Sequence, residues 1–119
     1  MRPPIKAILL ALLPSLTQSY EGKMTWYSPN GGYGSCGAPS ANSDFVVALA
    51  PSRMNGACFS HIGIYNPRTG VASDATIVDT CGRCGDNDID VSSGLFNYLA
   101  GEGSGIQNNV GWGGEVVGN

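Results

Sequence analysis

The stretch Ile77–Ser92, reading IVDTCGRCGDNDIDVS, constrains this chain more than any other segment. An apolar run delivers Asp79 to its end, a Gly-rich cysteine loop follows, and Asp90 then sits between Ile89 and Val91. Two apolar-flanked carboxylates bracketing one loop are notable where only 13% of residues are charged. A buried or half-buried carboxylate is costly unless it is paired, hydrogen-bonded or used in chemistry. One reading is structural, with Asp79 holding loop amides and Asp90 serving the helix that follows. The other is that both acids line a working groove.

The first nineteen residues have the form of an export signal. Arg2 and Lys6 give a positive start, and Ala7–Leu16 is an apolar stretch too short to span a bilayer. Thr17 and Ser19 put small residues at the positions that determine cleavage, so processing is expected after Ser19. The remainder, residues 20–119, is the size of one small domain. Removal of the leader leaves four basic against nine acidic residues, a formal charge of −5. That balance argues against nucleic acid, anionic membranes and pectin-like polymers, and leaves neutral polysaccharide open. A soluble, secreted, monomeric product is expected.

Four cysteines behind an export signal read as two disulfides, each worth roughly 2–4 kcal/mol to a domain of this size. Two other uses compete with this reading. Cys81-Gly82-Arg83-Cys84 has the form of a redox pair, but the following Gly85-Asp86-Asn87 does not continue a helix. Cys58 and His61 with that pair match a Cys3His zinc set, which an oxidising compartment disfavours. Asp86–Asp90 imitates the start of a calcium loop, yet Val91 and Asn97 stand where Gly and Glu are needed. No cofactor and no metal are expected.

Glycine is abundant, at 18 residues, and helical periodicity is scarce, so a mainly β domain with long loops is predicted. Strands are expected at Lys23–Tyr27, Phe45–Leu49, His61–Tyr65, Val71–Asp79, Ile89–Val91 and Ile106–Val117. Pro51–Asn55 reads as one helical turn. Asn66-Pro67-Arg68-Thr69-Gly70 reads as the turn between the third and fourth strands. Ser92 is a plausible N-cap for the one good helix, Ser93–Ala100, ended by Gly101. Leu95, Phe96 and Leu99 form its apolar face.

Four pieces taken together, Thr25-Trp26-Tyr27, Cys36-Gly37, Val46-Val47-Ala48-Leu49 and Ile77–Ser92, carry a resemblance to known proteins. The order of these pieces resembles the double-psi β-barrel group that includes expansins, loosenin-like proteins, rare-lipoprotein-A-like domains, barwins and kiwellins. Family-45 glycoside hydrolases share that barrel. The resemblance implies a single-domain, disulfide-stapled, six-stranded double-psi barrel with one short helix. It implies Cys36–Cys58 and Cys81–Cys84 as the disulfides. It also implies that Asp90 is the acid expansins require and the hydrolases use as general acid. Asp79, Thr25 and Tyr27 would line the same groove as substrate-binding residues.

The chain departs from the hydrolases where their general base would stand. Ser28-Pro29 occupies that place, and no acidic residue lies between Lys23 and Asp44. Inverting hydrolysis needs a second carboxyl group to activate water, so ordinary hydrolysis is not expected. A carboxylate neighbour and partial burial would each raise the pKa of Asp90, and strand alternation places Asp88 on its face if the strand extends that far. Tyr27, Trp26, Tyr33 and Trp112 are candidates for stacking on sugar rings, with core packing as the competing role. The expectation is a secreted, non-hydrolytic protein that binds and loosens insoluble cell-wall polysaccharide, glucan or chitin. Two alternatives are a protein-binding or protease-inhibitor module and a lytic-transglycosylase-like enzyme that needs only one acid.

The disulfide pairing is directly testable. Peptide mapping under non-reducing conditions is expected to recover the Cys36–Cys58 and Cys81–Cys84 linkages, and a Cys36 linkage to Cys81 or Cys84 would exclude the pairing.

Overall fold

The computed structural model describes residues 18–114. The expected leader up to residue 17 and the end of the expected last strand, residues 115–117, lie outside the described residues. Six strands close into one barrel: β1 (Gln18–Tyr27), β2 (Val46–Leu49), β3 (His61–Asn66), β4 (Val71–Thr80), β5 (Ile89–Ser92) and β6 (Gln107–Gly114). A 3-10 turn at Pro51–Arg53 follows β2, and helix α1 (Ser93–Ala100) follows β5. Around the barrel the strands run β1-β5-β2-β4-β3-β6. The β1/β5 and β2/β4 pairs are parallel, and the other pairs are antiparallel.

Each strand contributes its apolar residues to one core. Met24, Val47, Ile64, Ile89, Val91 and Val110 are fully enclosed, and Leu95, Phe96 and Leu99 of α1 close over them. β3 shows the underlying pattern, with Ile62, Ile64 and Asn66 buried and His61, Gly63 and Tyr65 exposed. β5 is instead buried along its whole length, as a strand flanked by β1 and β2 and covered by its own helix should be. Closure leaves no long open edge in the circuit.

β1 begins at Gln18 rather than Lys23. Its first half pairs with β6 from Gln18↔Gly114 to Gly22↔Val110, where Tyr20 packs on Trp112 at 4.7 Å between ring centroids. The register then shifts between Gly22 and Met24. A Cβ on Gly22 would stand 2.0 Å from the Asn87 carbonyl oxygen, so only glycine lets β1 pass beneath the loop that enters β5. Arg53 secures the same loop from outside. It donates to Asp86 O and Asn87 Oδ1 at 3.0 and 2.8 Å and lies 3.9 Å from the centroid of the Tyr20 ring.

Helix α1 starts and ends at the predicted residues. The Ser92 hydroxyl accepts from Leu95 N and donates to Asp44 O, which ties the cap to the loop before β2. Gly101 ends the helix at φ 96°. Among the described residues no helix is long and apolar enough to cross a membrane.

The turn after β3 carries more than its sequence shows. Asn66 belongs to β3, is fully buried, and donates to Leu99 O at 3.1 Å and Gln107 Oε1 at 3.0 Å. Arg68 donates to the same Gln107 oxygen at 2.7 Å and to Ala100 O. Thr69 Oγ1 donates to Leu99 O at 2.6 Å. These groups satisfy carbonyls at the C-terminal end of α1 and anchor it to β3 and β6. Asn66→Ala is therefore expected to lower unfolding free energy by about 1–3 kcal/mol, because buried partners lose their donor. Asn97→Ala on the exposed face of α1 should stay within about 0.5 kcal/mol, and urea unfolding of both variants checks the contrast.

Candidate functional site

The barrel register assembles the two acids. Asp90 on β5 pairs with Thr25 on β1 and with Ala48 on β2, and Ala48 pairs in turn with Asp79 on β4. One row therefore reads Thr25, Asp90, Ala48, Asp79 across four strands. Adjacent strands lie roughly 4.8 Å apart, so the acids stand roughly 10 Å apart at their Cα atoms. The only side chain in the row between them is the methyl of Ala48.

Asp90 is buried, with 5% of its surface exposed. Thr25 Oγ1 donates to Asp90 Oδ1 at 2.9 Å, and Arg83 Nη2 lies 3.9 Å from Oδ2. Burial pushes the Asp90 carboxyl above its ordinary value, and Asp79 adds to the rise. The Thr25 hydrogen bond and the Arg83 guanidinium oppose this without cancelling it. Asp88 is not the expected neighbour on this face. β5 begins at Ile89, and the Asp88 carboxylate instead accepts from Lys23 N at 2.9 Å and Gly85 N at 3.3 Å.

Asp79 holds loop amides. Its Oδ1 accepts from Ser35 N and Thr80 N, both at 2.8 Å. Ser35 Oγ meets Thr80 Oγ1 at 2.8 Å, and Cys36 N donates to Val78 O at 3.1 Å. A Cβ on Gly34 would approach the Val78 carbonyl oxygen to 2.4 Å and Asp79 Cβ to 2.9 Å, so glycine is needed for the loop to lie on the acid. The Cys36–Cys58 disulfide anchors the same loop, and Cys81–Cys84 closes the loop that bears Arg83. Both pairings are those the resemblance implies, and no free cysteine remains among the described residues.

Tyr27 joins the acids to a cleft. Burial, followed by the fields of Asp79 and Asp90, pushes its phenol up to about 12, so the hydroxyl keeps its proton at physiological pH. A cleft of about 210 Å³ opens beside Asp79, lined by Tyr27, Ser28, Tyr33, Ser40 and Val78 among others. A larger shallow depression of about 590 Å³ lies between β1, β3, β4 and β6 but contains neither of the two acids. The candidate aromatics separate accordingly. Trp112 is core, 5% exposed, with Nε1 donating to Asn87 O at 2.8 Å, whereas Trp26 and Tyr33 are 51% and 74% exposed. His61 is the exposed first residue of β3.

Sequence reasoning missed Arg83, Ala48, Ser35 and Gly34. Arg83 carried a signal, as the one cation between the two acids in sequence. The other three matter only through strand register and loop contact.

No family model matches the chain, and no curated protein matches it. Solved structures do. The Streptomyces papain inhibitor superposes with a TM-score of 0.70 at 28% identity, covering 80% of this chain and 92% of that one. The expansin of Clavibacter michiganensis gives 0.69 at 23% identity. An aspartate-to-asparagine mutant of that expansin, in complex with cellohexaose, gives 0.68 at 22%. This chain spans about half of each expansin chain, 49%. With the closed six-stranded circuit, these likenesses show the fold: the protein is a double-psi β-barrel like that of the papain inhibitor and the expansin.

The two acids should respond differently to amidation. Asp79→Asn is expected to cost about 1–2 kcal/mol, since two amides lose a charged acceptor. Asp90→Asn should preserve folding. The folded-state pKa of Asp90 lies above its ordinary 3.8, so the stability this group contributes is complete below 3.8 and is lost as pH rises through the raised value. The variant lacks that loss, so its stability relative to wild type should improve from acid toward neutral pH. Thermal melts in which Asp90→Asn is the more damaging change at neutral pH would overturn this division of roles.

Proposed function

We propose that this is a secreted, non-hydrolytic protein that binds and loosens insoluble cell-wall polysaccharide through a groove formed by Asp79, Asp90, Thr25 and Tyr27. The observation that carries the reading is one buried acid, Asp90, held by the Thr25 hydroxyl, while the second acid, Asp79, accepts from two backbone amides. Asp90 is held by Thr25 with its pKa raised, so a fraction of it is protonated at acidic pH and can donate to a glycosidic or hydroxyl oxygen. Asp79 has one oxygen committed to two backbone amides, and Ser28-Pro29 occupies the place of a base. Asp79 stands beyond Ala48 from Asp90 and is read as an acceptor that shapes the groove wall rather than as a base, so contacts replace bond cleavage.

The physical account is competition. Glucan or chitin chains associate through hydroxyl hydrogen bonds and ring stacking. A groove offering both takes over some of those contacts and separates the chains. The export-type leader and the two disulfides support an extracellular site of action.

A protein-binding role is the second reading, and one observation favours it. The papain inhibitor is matched at 28% identity, against 23% and 22% for the expansin structures.

Three assays separate the readings. Wild type is expected to pellet with insoluble cellulose or chitin, to weaken or swell a wall preparation in proportion to bound protein, and to release no reducing sugar from soluble β-glucan. Asp90→Asn should lose about tenfold in the wall effect, the equivalent of roughly 1.4 kcal/mol. Product accumulating linearly from a defined oligosaccharide would move the assignment to an enzyme, and papain inhibition without glycan binding would move it to an inhibitor.

A further inference from the structure

The cleft beside Asp79 contains polar groups that the fold leaves unused. Ser40 is 6% exposed, and its hydroxyl makes no hydrogen bond among the described residues, although its backbone is engaged with Gly31 and Gly32. A buried hydroxyl without a partner is unfavourable and calls for an explanation. Asp79 Oδ1 takes both amides, and Oδ2 accepts none from the described residues. The Tyr27 hydroxyl also lacks a protein partner there, and it remains a protonated donor. The cleft thus presents one acceptor, one donor and a hydroxyl that can be either.

Tyr33 completes the arrangement. The residue is 74% exposed, yet its backbone is tightly held: Tyr33 bridges Pro39, Gly31 N donates to Ser40 O at 2.8 Å, and Ser40 N donates to Gly32 O at 3.2 Å. The Cys36–Cys58 disulfide and the contacts of Ser35 with Asp79 and Thr80 fix the far side of the same loop. A rigidly presented aromatic face beside unused polar groups is the combination that holds a sugar ring, which is apolar on its face and hydroxylated at its rim. The volume of about 210 Å³ falls below the roughly 300–1,000 Å³ of sites that enclose drug-sized ligands, so one ring fits and an extended ligand continues outside. No cation lines the cleft, and Asp79 repels anions, so a uronate or phosphate is disfavoured.

We infer that this cleft is a subsite for a single neutral pyranose residue, stacked on Tyr33 and hydrogen-bonded by Ser40, Tyr27 and Asp79. The inference rests on the polysaccharide-binding reading and deepens it. The glycan chain runs from Asp90 past Asp79 into the Tyr33 cleft, and the exposed Trp26 has no part in this subsite. Tyr33 then selects for flat, equatorially substituted rings, and Asp79 selects against acidic ones.

The test uses amide-resolved NMR titration and calorimetry of the disulfide-bonded protein with soluble cello-oligosaccharides, chito-oligosaccharides and oligogalacturonate. Wild type is expected to shift the Tyr33, Gly34 and Ser40 amides with a neutral oligosaccharide and to bind oligogalacturonate more weakly. Tyr33→Ala should weaken neutral-glycan binding about 2- to 10-fold, and Tyr33→Phe should restore it. Ser40→Ala should weaken binding while leaving the melting temperature equal or higher, because the lost hydroxyl has no partner in the free protein. A purely structural Ser40 would show the opposite pattern. If wild type binds glycan but these amides stay unmoved and Tyr33→Ala binds equally well, the subsite is overturned while the polysaccharide reading stands. If no glycan binds, both fall. Papain inhibition that Tyr33→Ala abolishes, without glycan binding, assigns the cleft to a protein loop and overturns the sugar assignment.

Discussion

The parallel pairing of β1 with β5 carries most of the consequences of this structure. It sets Met24 beside Ile89, Thr25 beside Asp90 and Trp26 beside Val91. Because side chains alternate with a period of two, a slip by one residue would move the whole apolar set of β5 off the core face. The core therefore enforces the register, and the register places a hydroxyl against a buried acid. A parallel pair also needs a long connection between its strands. Here that connection is most of the chain, so the Thr25–Asp90 hydrogen bond spans 65 positions and exists only once the barrel has closed.

The environment of Asp90 follows from that enclosure. Burial disfavours its charge, Thr25 and Arg83 partly restore it, and the balance leaves the carboxyl above its ordinary range. Asp79 is nearby but differently employed, as an acceptor that fixes the 34–36 loop against β4. The two acids thus differ in surroundings, one buried against a hydroxyl and the other accepting backbone amides.

The loop beside Asp79 is held by covalent and backbone contacts. The Cys36–Cys58 disulfide, the glycine contact at Gly34 and the Tyr33–Pro39 bridge order a segment that has no regular secondary structure of its own. A preordered loop loses little freedom on binding. On the far side of the barrel, the Asn66–Arg68–Gln107 network anchors the end of α1 with polar groups rather than with additional apolar surface.

Much of this was legible in the amino-acid order. The apolar runs located the strands, Ser92 and Gly101 marked the helix ends, and the paired cysteines behind an export-type leader indicated disulfides. Asp79 and Asp90 stood out because carboxylates among apolar neighbours need a reason. Local sequence could not reveal what depends on residues distant in the chain. Asn66 looked like a turn residue because its buried partners lie 33 and 41 positions away. Asp88 looked like the neighbour of Asp90 because the start of β5 is set by its pairing with β1 and β2. Trp112 and Tyr33 were equivalent candidates until closure buried one and left the other on a rigid loop. The sequence by itself determined which residues prefer burial, turning or capping, since those preferences are local. Tertiary structure alone decided that Asp90 met the Thr25 hydroxyl and that the amides held by Asp79 are those of Ser35 and Thr80, because strand register and loop contact act across the whole chain.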